Sequence, residues 1–277
     1  MDRATRGPFT YVLRFVVVAY LLLLIVWPLS LVVTHAFADG FDAMRAVFSD
    51  PDTVAALRLA ALAAVVATAI NLVFGVSVSL LLVRTEFVGK RALSALIDLP
   101  LAVSPIVVGL ALMLVYSGRT GWFGPTLESW GLQVIFSTPG IVMATAFVAL
   151  PLVVREVVPV LKEIGVEQEQ AAASLGASEW QTFWRITLPS IRWAVVYGVV
   201  LTLARSLGEF GAVKVVSGNV LGQTRTATLA VEEMYLNFNQ QGAYAVAFLL
   251  ASVSVIAILI VSLLRSRGER LDRKATS

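Results

Sequence analysis

Three charged residues interrupt an otherwise apolar stretch in the second half of the chain. Arg205, Glu209 and Lys214 lie within the run from residue 190 to residue 216. Arg205 and Glu209 are four residues apart, a spacing that places both side chains on one face of a helix. Charges inside a membrane span are costly and usually face a bundle interior or a wet cavity. Two roles stay open: a mutual ion pair, or cations that give positive potential to a translocation path for an anion.

Residues for metal or nucleophilic chemistry are scarce. The chain has no cysteine and one histidine, His35, which we expect to be a loop residue because one imidazole alone makes no metal site. No GxxxxGK[ST] pattern is present, and the nearest match, Gly89-Lys90-Arg91, lacks the hydroxyl residue that binds magnesium. We therefore expect no catalytic residue, no metal, no cofactor bound by this chain and no ATPase site of its own.

The composition indicates a membrane protein. Of 277 residues, 58% are apolar and only 14% are charged, whereas a soluble domain has about 25% charged residues. The surface must therefore face lipid. The net charge of +3 is better explained by basic residues in cytoplasmic loops than by nucleic-acid binding.

Long apolar runs set the organisation of the chain. About 20 apolar residues cross a bilayer as a helix, so each run can span once. The first run is longer than the roughly 7–15 residues of a secretory signal core, so we expect an uncleaved first span. The prediction is an all-α integral membrane protein with six transmembrane helices. We place them at residues 15–37, 57–83, 97–117, 136–156, 190–216 and 243–264.

Lysine and arginine indicate the orientation, because cytoplasmic loops are enriched in them. With both termini inside, 15 of the 21 basic residues fall in cytoplasmic segments or, for Arg155 and Arg192, at the cytoplasmic ends of the adjoining spans. These segments are the N-terminus 1–14, the loop 157–189, the tail 265–277 and the turn after the second span. The segment 217–242 becomes an outer loop, and the first outer loop is acidic, with Asp39, Asp42, Asp50 and Asp52.

The spans also carry packing signals. Small residues that recur every four positions allow helix backbones to approach closely in lipid. In the third span we expect Pro100, Pro105 and Gly109 to distort the helix, since proline removes a backbone donor. The two small-residue series in the second span are Ala56, Ala60, Ala64 and Thr68, and Ala63, Ala67, Asn71 and Gly75.

The long polar loop reads EQEQAAASLGASEWQTFWRITLP from residue 167 to residue 189. Gly176 is well placed to stop a first helix. Ser178 and Gln181 have the spacing of a capping box, so a second helix should begin there. We expect Pro189 to restart the chain as the fifth span. An apolar stripe, formed by Ala173, Gly176, Ala177, Trp180, Phe183 and Trp184, runs along this segment.

Two roles for this loop fit the physics. Its tryptophans could lie at the inner membrane surface. Alternatively its tip around 171–178, which has few bulky side chains, could enter a groove on another protein.

The loop resembles the signature of ABC importer permeases, which is EAA, three residues, glycine, nine residues, isoleucine, one residue and Leu-Pro. Gln170-Ala171-Ala172, Gly176, Ile186 and Leu188-Pro189 stand at that spacing, with glutamine in place of the acid. The resemblance implies the type I importer fold, with a permease domain at about 50–265 and a cytoplasmic coupling helix. The implied contact with an ATPase subunit comprises Glu169, Gln170, Ala171, Ala172, Leu175, Gly176, Ala177 and Ser178, and the loop is anchored by Ile186, Leu188 and Pro189.

The fifth span and the segment after it resemble permeases of oxyanion importers. Molybdate permeases share much of the first part, RSLGEFGA. The continuation looks more like the W-type permease subunit of sulfate/thiosulfate importers, at Gly218-Asn219, Gly222-Gln223-Thr224, Val231-Glu232 and Tyr235. The resemblance implies a T-type permease partner, two ATPase subunits that use ATP and magnesium, a periplasmic sulfate-binding protein, and a multi-pass location in the inner membrane. The alternatives are a molybdate or tungstate importer, a self-sufficient secondary anion transporter, and a non-transporting scaffold.

Overall fold

The computed structural model describes residues 8–38 and 40–275, and all regular elements in those ranges are helices. Arg3 and Arg6 of the predicted N-terminus and Asp39 of the predicted outer loop lie outside the described residues. The first half contains α1 (Pro8–Leu21), a π-helical turn (Leu22–Val26), α2 (Trp27–Ala36), α3 (Asp42–Ser49), α4 (Pro51–Arg84), α5 (Lys90–Ala102), α6 (Pro105–Tyr116) and α7 (Gly124–Ser129). The second half contains α8 (Thr138–Glu163), α9 (Glu167–Ser174), α10 (Glu179–Thr182), a second π-helical turn (Phe183–Thr187), α11 (Leu188–Leu207), α12 (Gly211–Val216), α13 (Ala227–Leu236) and α14 (Gln240–Ala275).

Within residues 8–38 and 40–275, five helical stretches are long and apolar enough to cross a membrane. The total is six, as predicted, if the bent pair α5 and α6 forms one span. The five single stretches are Thr10–Ala36, Pro51–Arg84, Thr138–Glu163, Glu179–Leu207 and Gln240–Ile260.

The chain divides into two compact units, residues 1–50 with 231–249, and residues 51–230 with 250–277. In the first unit the α1–α2 stretch leaves large apolar side chains exposed along its length, which fits a helix surrounded by lipid. His35 is not a loop residue, contrary to expectation. It lies in the last turn of α2 and stacks on Tyr244 with ring centroids 5.0 Å apart.

The second unit is built around α4, α8 and α11. One cluster of buried apolar residues joins the three helices, with Val76 from α4, Val153 and Leu161 from α8, and Ile191 from α11. Both predicted small-residue series of α4 are buried, which confirms their packing role. A β-carbon on Gly75 would lie 2.8 Å from Val153 Cβ, so α4 and α8 approach too closely for any side chain there.

The third span, predicted at 97–117 with a helix distorted by prolines, is divided into two helices before Pro105, so the predicted distortion is confirmed there. α5 and α6 are separated by Val103 and Ser104, and their axes are bent by 113°. Val103 and Ser104 have ψ of 137° and 134°. For Ser104 the cause is the ring of Pro105, which disfavours the helical conformation of the residue directly before it. Pro100 lies within α5 without ending it. Gly109 is a packing position, since a β-carbon there would lie 2.8 Å from Ala212 O.

The fifth span also differs from its predicted start and end. Pro189 does not restart the chain, because the helix runs continuously from Glu179 to Leu207. The π-helical turn directly before Pro189 changes the hydrogen-bond register where proline lacks its donor. At the other end the helix stops at Leu207 rather than at 216, and a short helix, α12, follows.

Other boundaries move by smaller amounts. α8, which corresponds to the fourth predicted span, continues to Glu163, past the predicted end at 156. Residues 157–163, predicted as the start of the polar loop, are therefore helical. The predicted outer loop 217–242 contains α13. α14 continues to Ala275, through most of the segment predicted as a tail.

Candidate functional site

The polar loop between α8 and the fifth span folds as two short helices joined by a tight turn. α9 ends in a Schellman motif, in which Gly176 N donates to Ala173 O and Ala177 N donates to Ala172 O, both at 3.0 Å. Gly176 has φ of +82°, a conformation that glycine adopts without strain. The prediction that Gly176 stops the first helix is therefore confirmed.

The second helix of the loop begins with the predicted capping box. Gln181 N donates to Ser178 Oγ at 3.3 Å, and Ser178 N donates to Gln181 Oε1 at 3.1 Å. The two helices therefore meet at a turn of only a few residues, from Leu175 to Ser178. This geometry presents the turn as a compact tip.

The eight residues predicted to contact an ATPase fall into two groups. Gln170, Ala171, Leu175, Gly176 and Ser178 are exposed, and Leu175 is exposed to 89% although it is apolar. Ala172 is buried, and Ala177 is half-buried.

Glu169, the eighth of these residues, is held by neighbours within the chain. Its Oε2 lies 2.9 Å from Arg84 Nε, and its Oε1 accepts hydrogen bonds from Arg84 Nη2 at 3.1 Å and Thr187 Oγ1 at 2.8 Å. Arg84 Nη1 also donates to Leu161 O at 3.2 Å. Arg84 and Thr187 have no counterpart in the signature, and nothing in the spacing of the sequence relates Arg84 to a residue 85 positions later.

The predicted anchor residues lie at the base of the loop. Leu188 and Phe183 pack against the cluster that joins α4, α8 and α11. Ile186 is half-buried, whereas Pro189 is exposed. Phe183 also contacts Trp180 and Trp184, which form a ring cluster and are exposed to 69% and 50%.

The charged stretch of the fifth span lies at the break between α11 and α12. Arg205 Nη1 is 2.7 Å from Glu209 Oε2, so the two residues form the ion pair that their spacing allows. The Glu209 side chain is 2% exposed and the Arg205 side chain is 40% exposed. Glu209 Oε1 also accepts a hydrogen bond from Ala212 N at 3.0 Å, so the carboxylate caps the first turn of α12.

Lys214 lies on α12 and is exposed. Its Nζ is 5.2 Å from the centroid of the Phe210 ring, within the range of a cation–π contact. Arg205 and Lys214 therefore each present a cation at the surface of this chain, one on either side of the break.

The break in the fifth span packs against the break in the third. A β-carbon on Gly211 would lie 3.0 Å from Pro105 Cβ, and one on Gly109 would lie 2.8 Å from Val215 Cβ. Thr228 Oγ1 donates to Glu209 O at 2.9 Å and so holds one carbonyl that the broken helix leaves free. Irregular backbone at membrane depth is tolerated where it is buried in protein or lines a wet cavity.

Among the described residues there is no group of three or more side chains suited to hold a metal ion.

Comparison with known proteins agrees with this architecture. Residues 71–270 match the family described as binding-protein-dependent transport system inner membrane component. The chain is 45% identical to the sulfate transport system permease protein CysW of Synechococcus elongatus, over 92% of this chain and 88% of that protein. It is 43% identical to CysW of Escherichia coli K12, over 90% and 85%, and 35% identical to CysT of Synechocystis, over 92% and 89%.

Solved structures share the fold. A bacterial ABC transporter that imports the acidic polysaccharide alginate matches with a TM-score of 0.76 and 17% identity, over 94% of this chain and 95% of that chain. The same transporter type in complex with a binding protein that holds an alginate pentasaccharide also matches with a TM-score of 0.76. A self-sufficient secondary transporter and a scaffold are therefore excluded, and the chain belongs to the family of inner-membrane components of binding-protein-dependent, ABC-type transport systems.

Proposed function

We propose that this chain is a permease subunit of an ABC importer that moves sulfate, with thiosulfate as a second substrate, across the cytoplasmic membrane. The observation that carries the proposal is the identity of 42–45% to several sulfate transport permeases named CysW, over nearly the whole chain. At 35%, the identity to a CysT permease is lower, which favours the W-type role.

The chemistry of the break in the fifth span is compatible with an anion. Glu209 is buried and its charge is compensated by Arg205, whereas Arg205 keeps part of its side chain exposed. Arg205 and Lys214 thus both carry cationic groups at the surface of the broken span, and a cation attracts an oxyanion more strongly when water is excluded. Arg205 and Lys214 are therefore our candidates for residues of the translocation path, with Glu209 as the structural counter-ion.

Energy for transport comes from a separate subunit in this proposal. At the exposed tip of the polar loop, the apolar side chain of Leu175 protrudes from a tight turn. A side chain presented in this way can enter a groove on an ATPase subunit. This chain contributes no ATPase site, and ATP with magnesium binds to the partner. Closure of two ATPase subunits moves the tips and switches the spans between inward-facing and outward-facing arrangements.

The full complex contains a T-type permease, two ATPase subunits and a periplasmic sulfate-binding protein. Membership of a binding-protein-dependent family and the likeness to both CysW and CysT support these partners. Both termini and the loop tip lie in the cytoplasm, as the distribution of lysine and arginine favours.

Deletion of the gene for this chain tests the substrate. We expect the deletion strain to fail to grow on sulfate as sole sulfur source and to grow normally on a reduced sulfur source such as cysteine. Uptake of radiolabelled sulfate should fall to background and return with the wild-type chain on a plasmid, and unlabelled thiosulfate should compete. Normal growth on sulfate combined with loss of molybdoenzyme activity would overturn the proposal in favour of molybdate.

A further inference from the structure

We propose that Glu169 and Arg84 form a joint that fixes α9 to the membrane helices and transmits its movement to α4 and α8. The inference rests on the proposed function, because it takes α9 and its tip as the element that an ATPase moves. It gives Glu169 a positioning role in place of a direct contact with the ATPase.

The joint is defined by four contacts to two side chains. Arg84 is the last residue of α4, and its guanidinium faces both carboxylate oxygens of Glu169, at 2.9 Å and 3.1 Å. The contact at 3.1 Å is a hydrogen bond and the contact at 2.9 Å is an ion-pair contact. A hydrogen bond between charged groups is roughly twice as strong as one between neutral groups. Arg84 also donates to Leu161 O of α8, and Thr187 donates to Glu169 from the turn that begins the fifth span. One ion pair therefore connects α4, α8, α9 and the base of α11.

The joint is shielded from water. The side chains of Arg84 and Glu169 are 16% and 20% exposed, Thr187 is 4% exposed and Leu161 is fully buried. Shielding strengthens the attraction between opposite charges. Both carboxylate oxygens of Glu169 are occupied by groups of the same chain, so little of this acid is left for a partner. Gln170 and Leu175, by contrast, point outward at the tip.

The location of the joint suits the transmission of force. Leu161 belongs to the cluster that joins α4, α8 and α11, and Arg84 ends a helix of 34 residues. A displacement of α9 therefore acts on the end of α4 and, through Leu161 O, on α8. Apolar contacts in this region hold the helices together, but the ion pair is what fixes the direction of α9.

Charge reversal separates this role from docking. The variants are Arg84→Glu, Glu169→Arg and the double exchange, in the full complex with both permeases, the ATPase and the binding protein. For each single variant we expect the ATPase subunit to co-purify as in the wild type, because the exposed tip is unchanged. Sulfate transported per ATP hydrolysed should fall by roughly tenfold, the factor for losing about one charge-assisted hydrogen bond. The double exchange should recover most of the coupling.

Two control variants distinguish loss of the joint from loss of ATPase docking. Glu86→Ala breaks an ion pair of similar length, Lys90 Nζ to Glu86 Oε1 at 2.7 Å, which is exposed and within one turn, so we expect wild-type coupling. Gly176→Arg places a large side chain at the tip and should abolish ATPase co-purification. If Gly176→Arg retains the ATPase, the docking part of the proposed function is wrong, whatever the joint does.

Distances within the chain provide the direct readout. Because the chain has no cysteine, spin labels can be placed at Thr85→Cys and Gln168→Cys alone. Continuous-wave EPR should show strong dipolar broadening in the otherwise unmodified chain, weaker broadening with Arg84→Glu, and strong broadening again with the double exchange. Unchanged coupling and distances in the single variants would overturn the joint. Loss of the ATPase from Glu169→Arg that the double exchange fails to restore would place Glu169 in the docking surface and also overturn it.

Discussion

The carboxylate of Glu209 makes two different contacts at the break in the fifth span. Its Oε2 neutralises Arg205, and its Oε1 receives the N–H of Ala212 at the start of α12. A carboxylate that is 2% exposed would be costly without these contacts. The two roles that the sequence left open are therefore compatible, since a pair with one exposed member can also face an anion.

A double-mutant cycle on Arg205 and Glu209 tests the pair. Arg205→Ala leaves a buried carboxylate without a counter-ion, so it should lower the free energy of unfolding more than the combination with Glu209→Gln, which keeps an acceptor for Ala212 N. We expect a coupling energy of about 1–2 kcal/mol, the range for contacting charges when one is partly solvated. Thermal unfolding of the purified complex measures it. Additive effects would indicate that Arg205 acts independently in the path.

Single residues were predictable where the sequence pattern is local. Gly176 and the Ser178–Gln181 box are determined by positions within a few residues, and the structure has both as expected. The ATPase contact of Glu169 stays a prediction that follows from its place beside the signature. Its contact with Arg84 could not be predicted, because the two residues are distant in sequence and only the packing of the folded chain brings them together.

Among the helices, prolines show why element boundaries were only partly predictable. Pro105 is preceded by a break, because its ring keeps Ser104 out of the helical conformation. Pro189 and Pro100 do not end a helix. Pro189 follows a π-helical turn and Pro100 lies inside α5, and at both positions the helix continues without the hydrogen bond that proline cannot donate. The same residue type thus has opposite effects, and the choice depends on tertiary packing rather than on local preference.

Close packing of α4 on α8 gives a prediction at this scale. Gly75→Ala should lower the thermal midpoint of the complex, because the new methyl would lie 2.8 Å from Val153 Cβ. Inserting a methyl group into a packed core costs about 1–3 kcal/mol. Combining Gly75→Ala with Val153→Gly removes the three valine carbons that the new methyl would meet and should recover part of the loss.

A glycine in open space supplies the control for this change. Gly208 at the end of α11 would have only Arg205 O near an added β-carbon, at 3.9 Å. Gly208→Ala should therefore leave the free energy of unfolding within about 0.5 kcal/mol of the wild type, as for surface changes. Equal losses from both glycines would mean that crowding against Val153 is not the cause.

For the whole molecule, composition and periodicity were sufficient to predict a six-span helical membrane protein. They were insufficient for the third span, which is a pair of helices bent by 113° whose break meets that of the fifth span. The break at Val103 and Ser104 is not visible in a hydropathy average, because two residues are too few to lower it. The identity of the substrate cannot be predicted from charge and hydropathy, because a cationic surface at a broken helix suits many oxyanions.

Orientation in the membrane can be measured with single cysteines, because the native chain has none. Leu175→Cys at the loop tip and Thr120→Cys, which is exposed between α6 and α7, lie on opposite sides of the membrane in the proposed topology. A membrane-impermeant maleimide should label Thr120→Cys in right-side-out vesicles and Leu175→Cys in inside-out vesicles. The ATPase subunit should protect Leu175→Cys from labelling and leave Thr120→Cys unaffected. Labelling of both positions from one side would contradict the topology, and labelling of Leu175→Cys that the ATPase does not reduce would contradict docking at the tip.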